Sequence, residues 1–184
     1  MEVHFEEIRT EFEQTFRYIR NDIKAILDEN PNLHYTVALL ICCACEMLAY
    51  HKNLEPHQVF TSLLPDGEPY PIIGKTMFEA LRNGLAHRFR PETIEIGSHQ
   101  WRFSIRHQGP LVSVTERELK WLQLNVKLLN ERLTVKIDAY EEELRQSGRA
   151  RFKFWEKSRG SIKIIPRGNR VAEAWKSVLG GQLL

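Results

Sequence analysis

Apolar residues recur at steps of three and four along residues 3–29. Phe5, Ile8, Phe12, Phe16, Ile19, Ile23 and Ile26 form one stripe, and charged residues fill the other face. That pattern predicts an amphipathic helix, ended by Asn30-Pro31. Residues 33–52 are apolar nearly all round (Val37, Leu39, Leu40, Ile41, Leu48), which suits a helix in the middle of a bundle. Residues 56–64 fit one short helix, and the Pro- and Gly-rich stretch 65–71 is a loop. Ile73, Met77, Phe78, Leu81 and Leu85 place a fourth helix over 73–88, stopped by Pro91. Gly84 lies inside it, at a cost in helix propensity.

Between 93 and 106 the period drops to two. Ile94 and Ile96, then Trp101, Phe103 and Ile105, alternate with polar neighbours on either side of Gly97-Ser98, so a hairpin is predicted. Residues 111–114 add a short third strand. Thr115 and Glu118 read as a capping box at the head of a long helix over 115–147. Its main stripe is Leu119, Leu122, Val126, Leu129, Leu133, Ile137, Tyr140 and Leu144, and a second row holds Trp121, Leu124, Leu128 and Val135. Two rows imply two neighbours: the chain's own bundle and a second protomer, or two elements of the same chain. Beyond Gly148, Arg151-Phe152-Lys153-Phe154-Trp155 alternates cations with aromatics. A strand is expected at 161–165 and a terminal helix at 171–179. The fold expected is all-α: an up-and-down helical bundle over 1–147, with a small inserted β-hairpin at about 92–114 and a basic C-terminal extension over 148–184.

Composition changes this picture little. The 184 residues are 42% hydrophobic, 27% charged and 10% aromatic, which argues against disorder, collagen or a disulfide-stapled scaffold. A chain of this length buries a core without metals or disulfides. Charge distribution is more informative. The formal net charge is only +2, but residues 145–176 hold ten Lys/Arg against Glu156 and Glu173. A mildly acidic body with a basic C-terminal stretch points to an anionic partner, nucleic acid before membrane. The start, MEVHFEEIRT, is acidic and has no apolar core, so no signal peptide is expected. The longest apolar run, 37–50, is broken by Glu46 and is short for a bilayer span. Cys42, Cys43 and Cys45 point in three directions from one helix, which favours core packing over a metal site. A cytoplasmic protein with reduced thiols is expected.

The chemistry-bearing segment is Arg82-Asn83-Gly84-Leu85-Ala86-His87, at the end of the fourth helix. Asn83 and His87 are i and i+4, roughly 40° apart about the axis, so they share a face. An imidazole moves protons near neutral pH, and a guanidinium holds a phosphate through two parallel hydrogen bonds. Such a set suits RNA cleavage without a cofactor or metal. Plainer roles exist beside this one. His87 and Arg88 would complement the helix dipole, Asn83 would be a solvated position, and Arg82 would pair with Glu79 or Glu46. Glu46 interrupts the most apolar helix, so it either orients Arg82 or lies at a helix edge. Arg102 and His107 repeat the same spacing, but on a predicted strand. With His99 and Arg106 they make the hairpin cationic, for RNA or as a solvated edge. Arg88, Arg151, Lys153 and Trp155 would contact RNA, or residues 151–155 form a strand that packs its aromatics on the body while its cations face water.

An arginine followed by a polar residue, with a histidine five positions after the arginine at the close of a helix, resembles the HEPN superfamily. The match is carried by residues 82–87, and by helix order over about 3–147. The resemblance implies a bundle that dimerises and brings two such motifs together. It implies a metal-independent endoribonuclease in which the RNA 2′-OH attacks and leaves a 2′,3′-cyclic phosphate. His87 would be general base or acid, Arg82 would hold the scissile phosphate, Asn83 would position either, and Glu46 would support Arg82. Toxins and phage-defence effectors are the expected setting, with a nucleotidyltransferase antitoxin as partner. The rival reading is a HEPN-like nucleotide- or partner-binding module without catalysis. A third is a structural helical protein whose basic tail binds nucleic acid.

Overall fold

In the computed structural model, residues 3–30, 33–96, 99–116 and 120–160 are described. Helices α1 (Phe5–Phe12) and α2 (Tyr18–Glu29) are joined by a π-helical turn at Glu13–Arg17, so the first apolar stripe runs through one nearly continuous rod. α3 (His34–Lys52) follows, then α4 (Pro56–Thr61) and α5 (Tyr70–Arg88). α3 is the central helix. Ile41, Cys42, Cys45 and Leu48 are buried in the core, and α3 packs against α2, α4, α5 and α6 (Val126–Gln146). By length and composition α3 could cross a membrane, contrary to the expectation from the shorter apolar run, but half of it is buried inside the protein.

The all-α expectation is overturned by a four-stranded mixed sheet. β1 (Ile94–Ile96), β2 (His99–Arg106), β3 (Val112–Glu116) and β4 (Lys120–Asn125) lie in the order β1-β2-β4-β3. The hairpin expected at 93–106 is present as the antiparallel β1–β2 pair. β4, however, inserts beside β2 in parallel, and β3 closes the outer edge antiparallel to β4. The insertion is therefore a sheet, not a hairpin, and this is no up-and-down bundle.

The predicted helix over 115–147 is consequently too long. Thr115 belongs to β3, and Glu118 lies outside the described residues. The helix starts at Val126, and its cap is Asn125. The Asn125 Oδ1 accepts from the N–H groups of Lys127 and Leu128 at 3.1 and 3.2 Å, while its Nδ2 donates to the Gly109 carbonyl at 2.6 Å. One buried side chain thus ends a strand, starts a helix and pins the loop before β3. The second apolar row loses its meaning as a helical face. Trp121 and Leu124 are strand residues on opposite sides of the sheet, and Leu124 is buried.

The basic segment is also different from the expectation. α7 (Gly148–Gly160) is a helix that packs on α1, α3 and α6. Phe154 is 0% exposed, and its ring meets Phe12, Tyr140 and His51. Residues 148–160 are thus part of the body. The strand expected at 161–165 and the helix at 171–179 lie outside the described residues.

This aromatic cluster buries a titratable group. His51 stacks on Phe154 at 4.5 Å, and its Nδ1 has no hydrogen-bond partner. Burial, then the nearby Lys157 ammonium, pushes the imidazole down from 6.5 to about 4. The native imidazole therefore stays neutral where the unfolded one takes a proton. Its contribution is complete above about pH 6.5 and declines as pH falls toward 4, by roughly 3 kcal/mol in all. Urea unfolding at pH 7.5 and 4.5 should show this loss in wild type, and His51→Phe should remove most of it.

Candidate functional site

The 82–87 segment lies on the last turns of α5, where α5 packs against α3. Arg82 is half-buried, and its Nε donates to Glu46 Oε1 at 2.7 Å. The polar residue in the middle of the most apolar helix thus meets the arginine of the neighbouring one. Among the described residues the terminal guanidinium nitrogens of Arg82 have no other partner. They remain available to an anion, in an orientation set by Glu46.

Asn83 is half-buried, and His87 and Arg88 are exposed. Among the described residues no side-chain hydrogen bond joins Arg82, Asn83 and His87 to one another. The structure brings Arg82 to Glu46, and leaves His87 at the rim as an accessible imidazole one turn beyond Asn83.

The backbone leaves α5 by an unusual path. Phe89 takes a left-handed conformation (φ 55°) and is 84% exposed. A bulky residue in that region costs about 1–2 kcal/mol. The chain then folds back along α5. The Arg90 N–H donates to the Gly84 carbonyl and the Glu92 N–H to the Ala80 carbonyl. This return passes so close that a Cβ on Gly84 would lie 2.4 Å from both the Arg90 carbonyl oxygen and the Glu92 nitrogen. Gly84 is therefore a packing requirement within the motif, which explains its presence despite the propensity cost.

The return leads into a cleft of about 660 Å³, lined by Tyr35, Arg88, Arg90, Glu92, Arg102 and Trp121, among others. β1 covers β2 only as far as Trp101, so the edge of β2 from Arg102 onward is unpaired on that side. The cleft sits at that edge. Two further hollows lie along the same strand. One of about 400 Å³ is lined by Ser104, Arg106, Thr115, Trp121 and Gln123. Another, of about 270 Å³, is lined by His34, Arg106 and His107 with the turn after β2. His34 and His107 stack at 4.9 Å. Burial, then the neighbouring His107, lowers the His34 pKa. Arg102 and His107, the second pair with the motif's spacing, thus belong to these hollows.

The basic and aromatic positions of the C-terminal side differ from one another. Arg151 Nε donates to the Val3 carbonyl, and its Nη1 to the Leu144 and Arg145 carbonyls. It ties α7 to the end of α6 and to the start of the chain, rather than presenting a cation to a ligand. Lys153 is exposed. Trp155 is half-buried, stacked on Phe152, with the Arg159 guanidinium 4.3 Å from its ring centre. These residues ride on α7, away from the motif on α5.

Cys42 and Cys45 are buried and Cys43 is half-buried. Burial, then Cys43 and Glu46, pushes the Cys42 thiol up to about 12. Among the described residues no group of three or more His, Cys, Asp or Glu side chains is placed to hold a metal ion. Sequence pattern points to Glu46 and Arg88, but it misses Arg90, Trp121 and Tyr35. The signal for Trp121 is present only as alternation along Lys120–Asn125, where the 3–4 spacing of Leu119, Leu122 and Val126 competes with it. In comparisons with known protein families, with curated proteins and with solved structures, nothing matches this chain.

Proposed function

We propose that the protein is a metal-independent endoribonuclease of HEPN type, with its site at the end of α5. The observation that supports this most is the Glu46–Arg82 bond. It orients a guanidinium on the helix that also presents His87 to solvent. Arg82 holds the scissile phosphate through its terminal nitrogens and stabilises the charge that builds on it. Asn83 positions the phosphate or the imidazole. His87 removes the proton from the RNA 2′-OH, which attacks phosphorus, or it protonates the departing 5′-oxygen. The products are a 2′,3′-cyclic phosphate and a 5′-hydroxyl.

One imidazole does not serve both ends of this displacement in a single step, so the site works as a homodimer with two motifs facing each other. The exposed ring of Phe89, two residues past His87, is the apolar surface that a second protomer would cover. The setting is a cytoplasmic toxin or phage-defence effector, with a nucleotidyltransferase as its antitoxin. This reading rests on the motif and its local geometry, not on a bundle topology.

A second reading is favoured by the same ion pair. Arg82 bonded to Glu46 also does a structural job, joining α3 to α5, as it would in a catalytically silent binding module.

The test is RNA cleavage in EDTA by wild type and by His87→Ala, with the product ends analysed. Cleavage to cyclic phosphate by wild type alone is expected, with a loss of about 10²-fold or more in the variant. Equal cleavage by both would sink the mechanism. Folded dimers that never cleave would favour the silent module.

A further inference from the structure

One face of the sheet is chemically unlike the other. Phe103, Ile105 and Leu124 point into the core, where α3 and α6 lie against β2 and β4. The opposite face carries Arg102, Ser104 and Arg106 on β2, in register with Trp121, Gln123 and Asn125 on β4. Gln123 accepts from the Ser113 hydroxyl and donates to Thr115, each at 3.0 Å, so the polar row across three strands is held in place. Trp121 lines both the cleft at the sheet edge and the next hollow, and Arg106 lines that hollow and the third. The three hollows thus follow one another along β2 and together outline a track. It begins at Arg88, next to His87, and runs along β2 for about 13 Å between Arg102 and Arg106.

We infer that this track binds single-stranded nucleic acid, with Trp121 stacking on a base and Arg88, Arg90, Arg102 and Arg106 holding successive phosphates. Identification of the strand as RNA rests on the nuclease reading above; the surface itself does not. Charge complementarity selects the occupant. Among the described residues none of the four guanidinium groups is in an ion pair, and Glu92 is the acid that shares their cleft. A ring set in a cationic, hydroxyl-lined groove is what an unstacked base meets in strand-tracking proteins. A duplex keeps its base faces covered. A protein partner would call for an apolar centre, which this face lacks. The chain's own residues 161–184 carry Lys163, Arg167, Arg170 and Lys176 against Glu173, so they repel the track.

The experiment measures fluorescence anisotropy of a labelled 12-nucleotide RNA with the full chain carrying His87→Ala, so that binding is read apart from cleavage. Trp121→Ala in that background is expected to weaken binding about tenfold or more. Arg102→Gln and Arg106→Gln are each expected to reduce the slope of log affinity against log salt by about 0.7. Both replace exposed side chains, and they carry the test should Trp121→Ala fail to fold. Wild-type affinity and salt slope in these variants would overturn the inference. So would equal binding of a duplex, or binding abolished by removal of residues 161–184 while the sheet variants retain it. Equal binding of DNA of the same sequence would keep the surface and overturn its assignment to RNA. A protein that binds through this face yet never cleaves RNA would uphold the track and refute the nuclease.

Discussion

Gly84→Ala is expected to lower stability by about 3 kcal/mol, although alanine is the better helix former by roughly 1 kcal/mol. The added Cβ would sit 2.4 Å from the Arg90 carbonyl oxygen and the Glu92 nitrogen and 2.7 Å from the Pro91 carbonyl carbon. All three are backbone atoms, so no rotamer change relieves the clash. Relief requires lifting residues 90–92 from α5, which breaks the bonds from the Arg90 and Glu92 N–H groups to the Gly84 and Ala80 carbonyls. For a chain of this size the melting temperature should fall by roughly 6–12 °C. Gly148→Ala is the control. Its Cβ would meet only Arg151 Nη2, at an ordinary 3.5 Å, and the variant should melt at or above the wild-type temperature. If Gly84→Ala melts like the control, the return of the chain over α5 is wrong, and with it the placement of Arg88 and Arg90 in the cleft. The variant also tests whether the residues between Arg82 and His87 are mere spacers.

How much of this is legible in the sequence depends on the range of the interactions involved. The helices are, because their signal is local. The stripe Leu129, Leu133, Ile137, Tyr140 and Leu144 is buried throughout, as its spacing implies. Glu46 is one of two partners that the sequence offers Arg82, on the argument that a charge in an apolar helix requires a counterion. The sheet is not legible. The parallel pairing of β2 with β4 joins Arg102 to Trp121 across an intervening strand, and no periodicity within either segment encodes it. Lys120–Asn125 fits both a helix and a strand, and only the neighbour decides. A sign of the boundary is present: an asparagine directly before the apolar run from Val126 is a common helix start. Thr115 and Glu118 offer a competing start ten residues earlier. The cationic track is hidden for the same reason, since Arg90, Arg102 and Trp121 come together only once the sheet is formed.

Phe154→Ala is expected to cost about 3–5 kcal/mol, the range for emptying a buried aromatic site. The ring is 0% exposed and lies 4.5 Å from His51, 6.0 Å from Phe12 and 6.4 Å from Tyr140, measured between ring centres. These partners come from α1, α3 and α6, so the cavity would open where three helices meet, and collapse onto it would have to move all three. Neighbouring Lys153 is exposed, and Lys153→Ala should change stability by less than about 0.5 kcal/mol. Chemical denaturation of the two variants separates a core helix from a basic appendage. Equal stability would mean that α7 is not docked. The same logic governs any truncation used to ask whether the C-terminal cations bind RNA. A chain ending at residue 147 loses Phe154 and also the three carbonyl bonds of Arg151 that fasten α7 to Val3, Leu144 and Arg145. Loss of RNA binding in that chain would report a damaged core. A chain ending at residue 160 keeps α7 while removing Lys163, Arg167, Arg170 and Lys176. Retention of RNA binding by the 160-residue chain would locate the contact on the body, with the sheet and α5. Its loss would locate the contact in the segment beyond α7.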